Sequence, residues 1–300
     1  MNVKFIVNPT SGRQIVQQNV DGVTEQLIQE GLWKNVDVFY THARNTGFQE
    51  ALQLTAGEYD LVVAVGGDGT IHEVVNGVLK GGCNIPIAVM PAGTVNDFGY
   101  YLQVPDDIDG YCEMVRNGKI TPVDVGQVGD DYFLNVFAGG LFTDISYKVP
   151  REVKMVLGEL AYYLAGAISL PLNLFRSYSL ELTYEGRTFE EQALIFIISN
   201  SPSIGGFKQI CPAAGISDGL LDVCIIRRSG LEHLLSLFFR MMKGEHIDSP
   251  HVSYFQTDYV EIRRTNPDEG ELFMDMDGEQ KGSLPAVIRA VPGALRMLVP

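Results

Sequence analysis

An apolar run that stops at a glycine loop is the feature that most constrains how this chain folds. Residues 62–65 are all Val or Ala, Gly66-Gly67-Asp68-Gly69-Thr70 follows, and a helical pattern begins at once. The run predicts a buried parallel strand, and the glycines let backbone N–H groups approach a phosphate closely. A carboxylate among phosphates needs a bridging cation, so Asp68 indicates Mg²⁺. The stretch therefore predicts a loop that binds a nucleoside triphosphate.

A helix cap is the alternative explanation of the same loop. Thr70 and Glu73 have the spacing of a capping box, in which Thr70 would cap a helix over residues 71–79. The loop is not a Walker A loop, because no Gly-Lys-Ser/Thr follows, and its glycines do not fit the dinucleotide pattern. From the loop alone, both explanations stay open.

Composition and charge narrow the class of protein. The 300 residues carry a formal net charge of −15, which argues against nucleic acid and against broad attraction to an anionic membrane. Any membrane contact must then be local and largely apolar. The four cysteines show no metal-ligand spacing and are typical of buried thiols in a reducing compartment. The first seven residues are too short an apolar run for a signal peptide, so we expect a cytoplasmic protein.

Strand and helix patterns alternate in the first part of the chain. The predicted strands are 3–7, 36–40, 61–65 and 85–90, and the predicted helices are 13–30, 47–56 and 71–79. This alternation indicates an α/β fold with a doubly wound, mainly parallel sheet. Ligands of such sheets bind beyond the carboxyl ends of the strands, where we expect four loops to converge. These loops are Asn8–Gly12, Thr41-His42, Gly66–Thr70 and Pro91–Thr94.

The pattern changes near residue 120, where strand-like segments and turn signals take over. The predicted strands are 121–128, 132–137, 180–184, 193–199, 220–226 and 260–264. They indicate an antiparallel β-sandwich. We therefore predict a nucleotide-binding α/β domain over 1–121, to which 292–300 returns, and a β-sandwich domain over 122–291.

The segment 155–175 is nearly uncharged and has basic residues on both sides. It is long enough to span a membrane, but Glu159, Pro171 and Asn173 argue against a span. Two explanations remain open: a helix packed on the sandwich, or an apolar lid whose basic flanks touch lipid headgroups.

Six short motifs, taken in order, resemble those of one family. They are Asn8-Pro9-Thr10-Ser11-Gly12, Gly66-Gly67-Asp68-Gly69-Thr70, Gly93-Thr94-Val95-Asn96-Asp97-Phe98, Val123-Asp124-Val125-Gly126, Ser217-Asp218-Gly219-Leu220-Leu221 and Asp277-Gly278-Glu279. The chain resembles the soluble bacterial diacylglycerol kinases and related lipid kinases that share the diacylglycerol-kinase catalytic domain. That resemblance implies a nucleotide-binding α/β domain followed by a β-sandwich domain.

The resemblance also implies where ATP binds. The implied residues are Asn8, Pro9, Thr10, Ser11, Gly12, Thr41, Gly67, Asp68, Gly69, Thr70, Ile71, His72, Glu73 and Thr94. Strand-end loops with N–H and hydroxyl donors suit phosphates, which agrees with this placement. Taken by themselves, Thr41 and Thr94 are better explained as helix caps, and only their convergence with the other loops favours ATP binding.

Further roles follow from the same resemblance. Glu279 has the position of the general base that takes the proton of the acceptor hydroxyl, although Asp277-Gly278-Glu279 alone would be a hairpin turn with a solvated glutamate. Asp218 would hold a second, structural Mg²⁺ with the backbone carbonyls of Gly215 and Leu220. Asp97 and Asp124 would complete an acidic cluster.

Two positions depart from the family pattern. His72 stands where asparagine is more common, and Tyr100 where many relatives have arginine.

The resulting expectation is an ATP-dependent lipid kinase that converts diacylglycerol to phosphatidic acid, with Glu279 and Asp68 as catalytic residues. It would act as a peripheral protein at the cytoplasmic face of the membrane, and self-association is compatible with the sequence. Two alternatives are a soluble kinase of the NAD-kinase type and a non-catalytic lipid- or nucleotide-binding regulator. The retention of both Asp68 and Glu279 argues against the regulator, because binding alone needs neither.

Overall fold

A computed structural model describes residues 1–11, 13–93, 95–140 and 176–300 of the chain. The predictions for Gly12, Thr94 and the segment 155–175 lie outside these residues. The described chain divides into two compact units, one formed by Met1–Val125 with Pro292–Pro300 and the other by Gly126–Val291.

The first unit contains a parallel sheet with the strand order β2-β1-β3-β4-β15. Its strands are β1 (Asn2–Val7), β2 (Asn35–Tyr40), β3 (Leu61–Gly66), β4 (Ile87–Pro91) and the last part of β15 (Ala286–Val299). All six residues of β3 are buried, as the apolar run predicts for a central parallel strand. The order reverses between β1 and β3, so a doubly wound sheet has its ligand crevice at the loops that follow these two strands.

The described residues of this unit form five helices: α1 (Arg13–Gln29), α2 (Thr46–Leu52), α3 (Asp68–Gly81), α4 (Asp97–Tyr101) and α5 (Ile108–Asn117). Two predictions need correction here. Helix α3 starts three residues before the predicted Ile71, and α2 ends four residues before the predicted end at Ala56. Helix α5 was not predicted, although Asp107 is an N-cap whose Oδ1 accepts the Gly110 N–H over 2.8 Å.

One core cluster of the first unit lies between α1, α5 and one face of the sheet. Phe5 and Trp33 meet edge to face at its centre, with ring centroids 5.6 Å apart. Tyr111 and Cys112 of α5 are buried in the same cluster. All four cysteines of the chain are buried and free, as their spacing predicts.

The second unit is an antiparallel β-sandwich, which confirms the fold class expected for this part of the chain. Its strands are the end of β5 (Lys119–Val128), β6 (Asp131–Phe133), β7 (Val136–Gly140), β8 (Tyr178–Tyr184), β9 (Arg187–Ser199), β10 (Leu221–Arg227), β11 (Val252–Thr257), β12 (Tyr259–Arg264), β13 (Met274–Met276), β14 (Glu279–Gln280) and the first part of β15. The single strand predicted over 132–137 is wrong, because the chain breaks at Leu134-Asn135 into β6 and β7.

One helix of the second unit, α6 (Leu231–Met241), covers a face of the sandwich and buries Leu237 and Met241. The other core of this unit contains Phe133, Phe137 and Phe196, whose rings form a continuous series of contacts. Within the described ranges, no helix combines the length and apolar character needed to cross a membrane.

Candidate active site

The side chain of Asn8 joins the loops that follow β1 and β3. Its Nδ2 donates to Thr70 Oγ1 over 3.1 Å, and its Oδ1 accepts the backbone N–H and the hydroxyl of Thr10. The Asn8 N–H donates to the Val65 carbonyl over 2.9 Å. One asparagine therefore shapes its own loop and ties it to the first turn of α3, at the point where the strand order reverses.

A close backbone contact joins the loops that follow β3 and β4. A Cβ added at Gly93 would lie 2.6 Å from the Gly67 Cα and 2.7 Å from Asn96 Oδ1. Asn96 binds both backbone groups of Gly93, since Oδ1 accepts its N–H and Nδ2 donates to its carbonyl, each over 2.8 Å. Only glycine fits at position 93 without moving one of the two loops.

Helix α3 begins inside the predicted phosphate loop. Gly67 is its N-cap and Asp68 its first residue, while the Thr70 N–H donates to the Gly67 carbonyl over 2.9 Å. The capping-box explanation is therefore wrong. The first N–H groups of a helix have no intrahelical acceptors and carry partial positive charge, so this turn suits an anion.

Glu73 instead caps the neighbouring helix α2. Its two carboxylate oxygens accept the N–H groups of Asn45 and Gly47 over 2.8 and 3.0 Å. Asn45, the N-cap of α2, makes no capping bond with its own side chain. A residue that the sequence assigns to ATP binding thus also holds α2 in place.

The remaining predicted ATP residues of the first unit differ in exposure. Pro9 and Thr10 are exposed and Ser11 is half-buried, whereas Ile71 and His72 are buried in α3. The Thr41 N–H donates to the Val7 carbonyl over 2.8 Å, which fixes the loop after β2 beside β1. Thr41 is not a helix cap, because α2 has its N-cap at Asn45.

The first unit buries two further carboxylates that the sequence singles out, Asp97 and Asp124. Asp97 lies in the first turn of α4 and Asp124 lies in β5. Asp124 Oδ1 accepts the Gly293 N–H over 2.7 Å, which attaches the returning strand β15 to β5.

Glu279 of the second unit follows a two-residue hairpin turn. Met276 and Glu279 pair across β13 and β14, so Asp277 and Gly278 form the turn, with φ values of 49° and 86°. Two successive positive φ values define the tight turn that asparagine, aspartate and glycine favour. Glu279 is half-buried beside it, not fully solvated.

The Asp277 carboxylate turns into the protein instead of facing solvent. Its Oδ2 accepts the Leu134 N–H over 2.7 Å, and its Oδ1 accepts the N–H groups of Asn135 and Val136 over 2.9 and 2.8 Å. The Asp277 N–H donates back to the Val136 carbonyl over 3.0 Å. This set of four bonds, which we call the Asp277 clamp, attaches the hairpin to the break between β6 and β7.

A buried polar network lies on the other side of that break. Asn135 Nδ2 donates to the Ser203 carbonyl over 3.0 Å, and Asn135 Oδ1 accepts the Ser201 hydroxyl. Asn200 Nδ2 donates to the Leu134 carbonyl over 3.1 Å, and the Ser199 hydroxyl donates to the Asn135 carbonyl over 3.0 Å. These side chains are buried, so their mutual bonds define one arrangement of the loop after β9.

The loop that was predicted to hold a second cation wraps around Asp218. Asp218 Oδ1 accepts the Leu220 N–H over 2.9 Å, and a Cβ added at Gly215 would lie 2.8 Å from Oδ2. The Asp218 carboxylate therefore lies against the backbone at both predicted partners. The donor set of one carboxylate and backbone carbonyls is of the kind that hard cations bind.

A second layer supports this loop. Tyr254 donates its hydroxyl proton to Asp222 and accepts the Ala213 N–H over 3.2 Å. Gln256 Nε2 donates to the Ala213 carbonyl and to Asp222 Oδ2. Asp222 is fully buried, and burial raises its pKa. Sequence patterns do not reveal this layer, because Asp222 comes from β10 while Tyr254 and Gln256 come from β11.

Nowhere in the described part of the chain do three or more histidine, cysteine, aspartate or glutamate side chains lie close enough to hold a metal ion together. A Mg²⁺ ion would therefore need other oxygen ligands besides the carboxylates, such as backbone carbonyls, phosphate oxygens or water.

Comparisons with known proteins identify the family. A family model described as the diacylglycerol kinase catalytic domain matches residues 2–128, and one described as the YegS C-terminal NAD kinase beta sandwich-like domain matches residues 144–299. A protein of Bacillus subtilis (strain 168) named diacylglycerol kinase is 35% identical over 94% of this chain and 91% of its own length. The chain belongs to the diacylglycerol kinase family.

Two further relatives agree with this membership. A diacylglycerol kinase of Staphylococcus haemolyticus is 32% identical over 94% of this chain and 83% of its own length. A crystal structure of a diacylglycerol kinase from Bacillus anthracis str. Sterne covers 100% of this chain and 97% of that chain, with a TM-score of 0.80 at 24% identity. Structural similarity at that identity supports the fold.

Membership confirms the predicted class of enzyme. A diacylglycerol kinase family protein is a phosphotransferase of the lipid kinase type, so ATP and a lipid are its substrates. Mixed α/β and β-sandwich units are the fold of this family, as the sequence predicts.

Proposed function

We propose that this protein transfers the γ-phosphate of ATP to the hydroxyl of diacylglycerol, which yields phosphatidic acid. The observation that carries the proposal is the contact of Asn8 with Thr70, which joins the first two phosphate-loop motifs at the switch point of the sheet. The relatives named diacylglycerol kinase, which align over 94% of this chain, support diacylglycerol as the acceptor.

In this proposal the strand-end loops of the first unit bind the triphosphate. Backbone N–H groups of the first turn of α3, with the hydroxyls of Thr10 and Ser11, donate to phosphate oxygens. Gly67 and Gly93 keep these loops close together, because neither has a side chain at their contact. Thr41, Ile71, His72 and Glu73 complete the proposed ATP site, and Gly12 and Thr94 are assigned to it from sequence.

Asp68 is the proposed link to a catalytic Mg²⁺ ion. It lies half-buried in the first turn of α3, between Gly67 and Gly69. Such a carboxylate suits Mg²⁺, which binds through one or two carboxylates, substrate phosphates and water. When bound, the ion would neutralise charge on the phosphates. Asp68 would orient the ion and its water through its carboxylate oxygens.

Glu279 is the proposed general base. It is half-buried on a hairpin whose geometry is fixed by the Asp277 clamp, and its carboxylate would accept the proton of the lipid hydroxyl as the phosphoryl group transfers. General bases of this kind accelerate reactions by about 10²–10⁴-fold.

Asp218, with the carbonyls of Gly215 and Leu220, is the proposed site of a structural Mg²⁺ ion. The contacts of the Asp218 carboxylate with the backbone at both positions support this assignment. An ion there would tie the two ends of the loop together.

The remaining proposals concern membrane contact and self-association of the enzyme. A lipid substrate requires contact with a lipid surface, and we propose peripheral contact at the cytoplasmic face of the membrane, with the segment 155–175 as the candidate surface. Self-association remains a further proposal.

The acceptor can be tested by measuring ADP release in mixed micelles that contain diacylglycerol, phosphatidylglycerol, ceramide, sphingosine, undecaprenol or NAD. We expect diacylglycerol to be the preferred acceptor. Activity on NAD alone would overturn the lipid assignment and favour the NAD-kinase alternative.

A Glu279→Gln variant tests the catalytic role. We expect its kcat to fall by about 10²–10⁴-fold with an unchanged Kd for ATP. Glu269→Gln is the matched control. Glu269 belongs to the same unit and is not assigned to the site, and its carboxylate accepts the Ser179 N–H over 2.7 Å. If Glu279→Gln keeps full turnover, Glu279 is not the base.

A further inference from the structure

We infer that Asp277 is a positioning residue that acts through Glu279. Its carboxylate fixes the hairpin that presents the proposed base, and it does not itself meet the substrate. The inference rests on the proposed function of Glu279, and it assigns Asp277 a role different from that of the other acidic residues of the six motifs.

Burial and hydrogen bonding argue that Asp277 does not act on the substrate directly. Only 8% of the residue is exposed, and both carboxylate oxygens accept backbone N–H groups. A carboxylate that accepts several N–H bonds is held in one orientation. The Asp277 side chain is therefore committed to the break between β6 and β7.

The hairpin needs such an anchor because its own pairing is short. Strands β13 and β14 pair at only two positions, Asp275 with Gln280 and Met276 with Glu279. A two-residue pairing alone defines a side-chain position weakly. The clamp attaches the turn at Asp277, two residues before Glu279, so the backbone of the base is held on both sides of the turn.

The receiving side of the clamp is itself rigid. Leu134 and Asn135, whose N–H groups donate to Asp277, also offer their carbonyls to Asn200 and Ser199. Asn135 binds Ser201 and Ser203 through its side chain. These partners are buried. A fixed support of this kind matters for catalysis, because a displacement of about 1 Å at a reacting group can cost about 10²-fold in rate.

The variant Asp277→Asn tests the contribution of the carboxylate separately from that of the turn. Asparagine tolerates the positive φ of 49° as well as aspartate does, so the turn itself is preserved. The amide NH₂ group must then face at least one of the three backbone N–H donors, so at least one acceptor is lost and the hairpin moves. Asp277→Gly, which also tolerates this φ, removes both acceptor oxygens and with them all three bonds.

The decisive experiment is a double-mutant cycle on the full chain, with ADP release and ATP binding measured for each variant. We expect Asp277→Asn to lower kcat by about 10–100-fold and to leave KM for ATP within about twofold. In the Glu279→Gln background, we expect Asp277→Asn to lower kcat by less than about twofold, because the residue has no base left to position. Glu269→Gln should lower kcat little in either background.

Equal losses in both backgrounds would overturn the inference, since they would mean that Asp277 acts independently of Glu279 or only through stability. Full activity of Asp277→Asn would overturn it too. Full activity of Glu279→Gln would instead refute the assignment of the base, which distinguishes the two failures.

A second variant covers the case in which Asp277 variants do not fold. Asn135→Ala leaves the Asp277 carboxylate in place and removes the bonds to Ser201 and Ser203. We expect a smaller loss of kcat that again disappears in the Glu279→Gln background. A loss that persists there contradicts the inference.

Discussion

Asp277 and Val136 hydrogen-bond to each other in both directions. The Val136 N–H donates to Asp277 Oδ1 over 2.8 Å, and the Asp277 N–H donates to the Val136 carbonyl over 3.0 Å. The Asp277 side chain thereby takes the place of a backbone acceptor in the pairing of these two segments. It extends the register of β7 and β13 by one position, up to the turn that precedes Glu279.

We expect Asp68→Asn to abolish turnover while changing the melting temperature by less than about 2 °C. The substitution keeps the volume of a half-buried side chain and removes the charge proposed to face Mg²⁺. ADP release and thermal unfolding measure the two effects. Asp60→Asn is the control, because the Asp60 carboxylate accepts the Asn2 N–H at the other end of the strands. A large loss of stability in Asp68→Asn would identify Asp68 as structural.

We expect Asn8→Ala to raise the Kd for ATP by about tenfold and to lower the free energy of unfolding by about 1 kcal/mol. The variant loses the bond to Thr70 and the acceptor that shapes the loop at Thr10. Thr70→Val closes a double-mutant cycle. A coupling of about 0.5–1.5 kcal/mol is expected between the two sites. Simple additivity would show that the Asn8–Thr70 bond does not join the loops energetically.

We expect Gly93→Ala to weaken ATP binding at least tenfold and to destabilise the fold by about 1–3 kcal/mol. The new Cβ would meet the backbone of Gly67, which cannot rotate away as a side chain can. Nucleotide titration and urea unfolding measure both effects. Gly22→Ala is the matched control, because its Cβ would meet only the end of the flexible Ile108 side chain. Equal behaviour of the two variants would show that the loops separate at no cost.

We expect the fold to lose stability below about pH 6.5, in part through His246. Burial lowers the pKa of this imidazole, the bond to the Ile210 carbonyl opposes the shift, and Arg240 adds to it. The native pKa is thus below the unfolded pKa. Between the two values the unfolded chain binds a proton that the native chain does not, so the free energy of unfolding rises with pH in this window and is constant above it.

The variant His246→Gln can still donate to the Ile210 carbonyl but cannot titrate. We expect it to flatten the dependence of the free energy of unfolding on pH below about pH 6.5. Urea unfolding at several pH values measures the slope, with the exposed His42 replaced by Gln as the control. An unchanged slope in His246→Gln would mean that other groups cause the acid sensitivity.

The elements of the first unit were predictable because their periodicity is strong. The apolar run before Gly66 and the alternation around it are local signals, and the strands occur within two residues of their predicted bounds. The start of α3 was misplaced because a glycine N-cap has no side chain to signal it. The role of Glu73 at α2 depends on a tertiary contact, which no spacing in the sequence encodes.

The candidate site was predictable as a set of motifs but not as a network. The prediction of a tight turn at Asp277-Gly278 is confirmed, because both residues have the positive φ values that such a turn needs. That the Asp277 carboxylate would bind residues more than 140 positions away could not be read from the turn. The second layer around Asp218 escaped prediction for the same reason, because Asp222, Tyr254 and Ala213 are separated along the chain.

The strand β15 has a consequence for how the nucleotide-binding half is made. Residues 292–300 form part of the first unit, and β15 pairs with β4 in its sheet. When only residues 1–125 of the nascent chain have left the ribosome, β4 therefore still has one edge without a partner strand. Such an edge invites pairing with foreign strands, so the first half of this kinase stays unprotected until the sandwich has been synthesised.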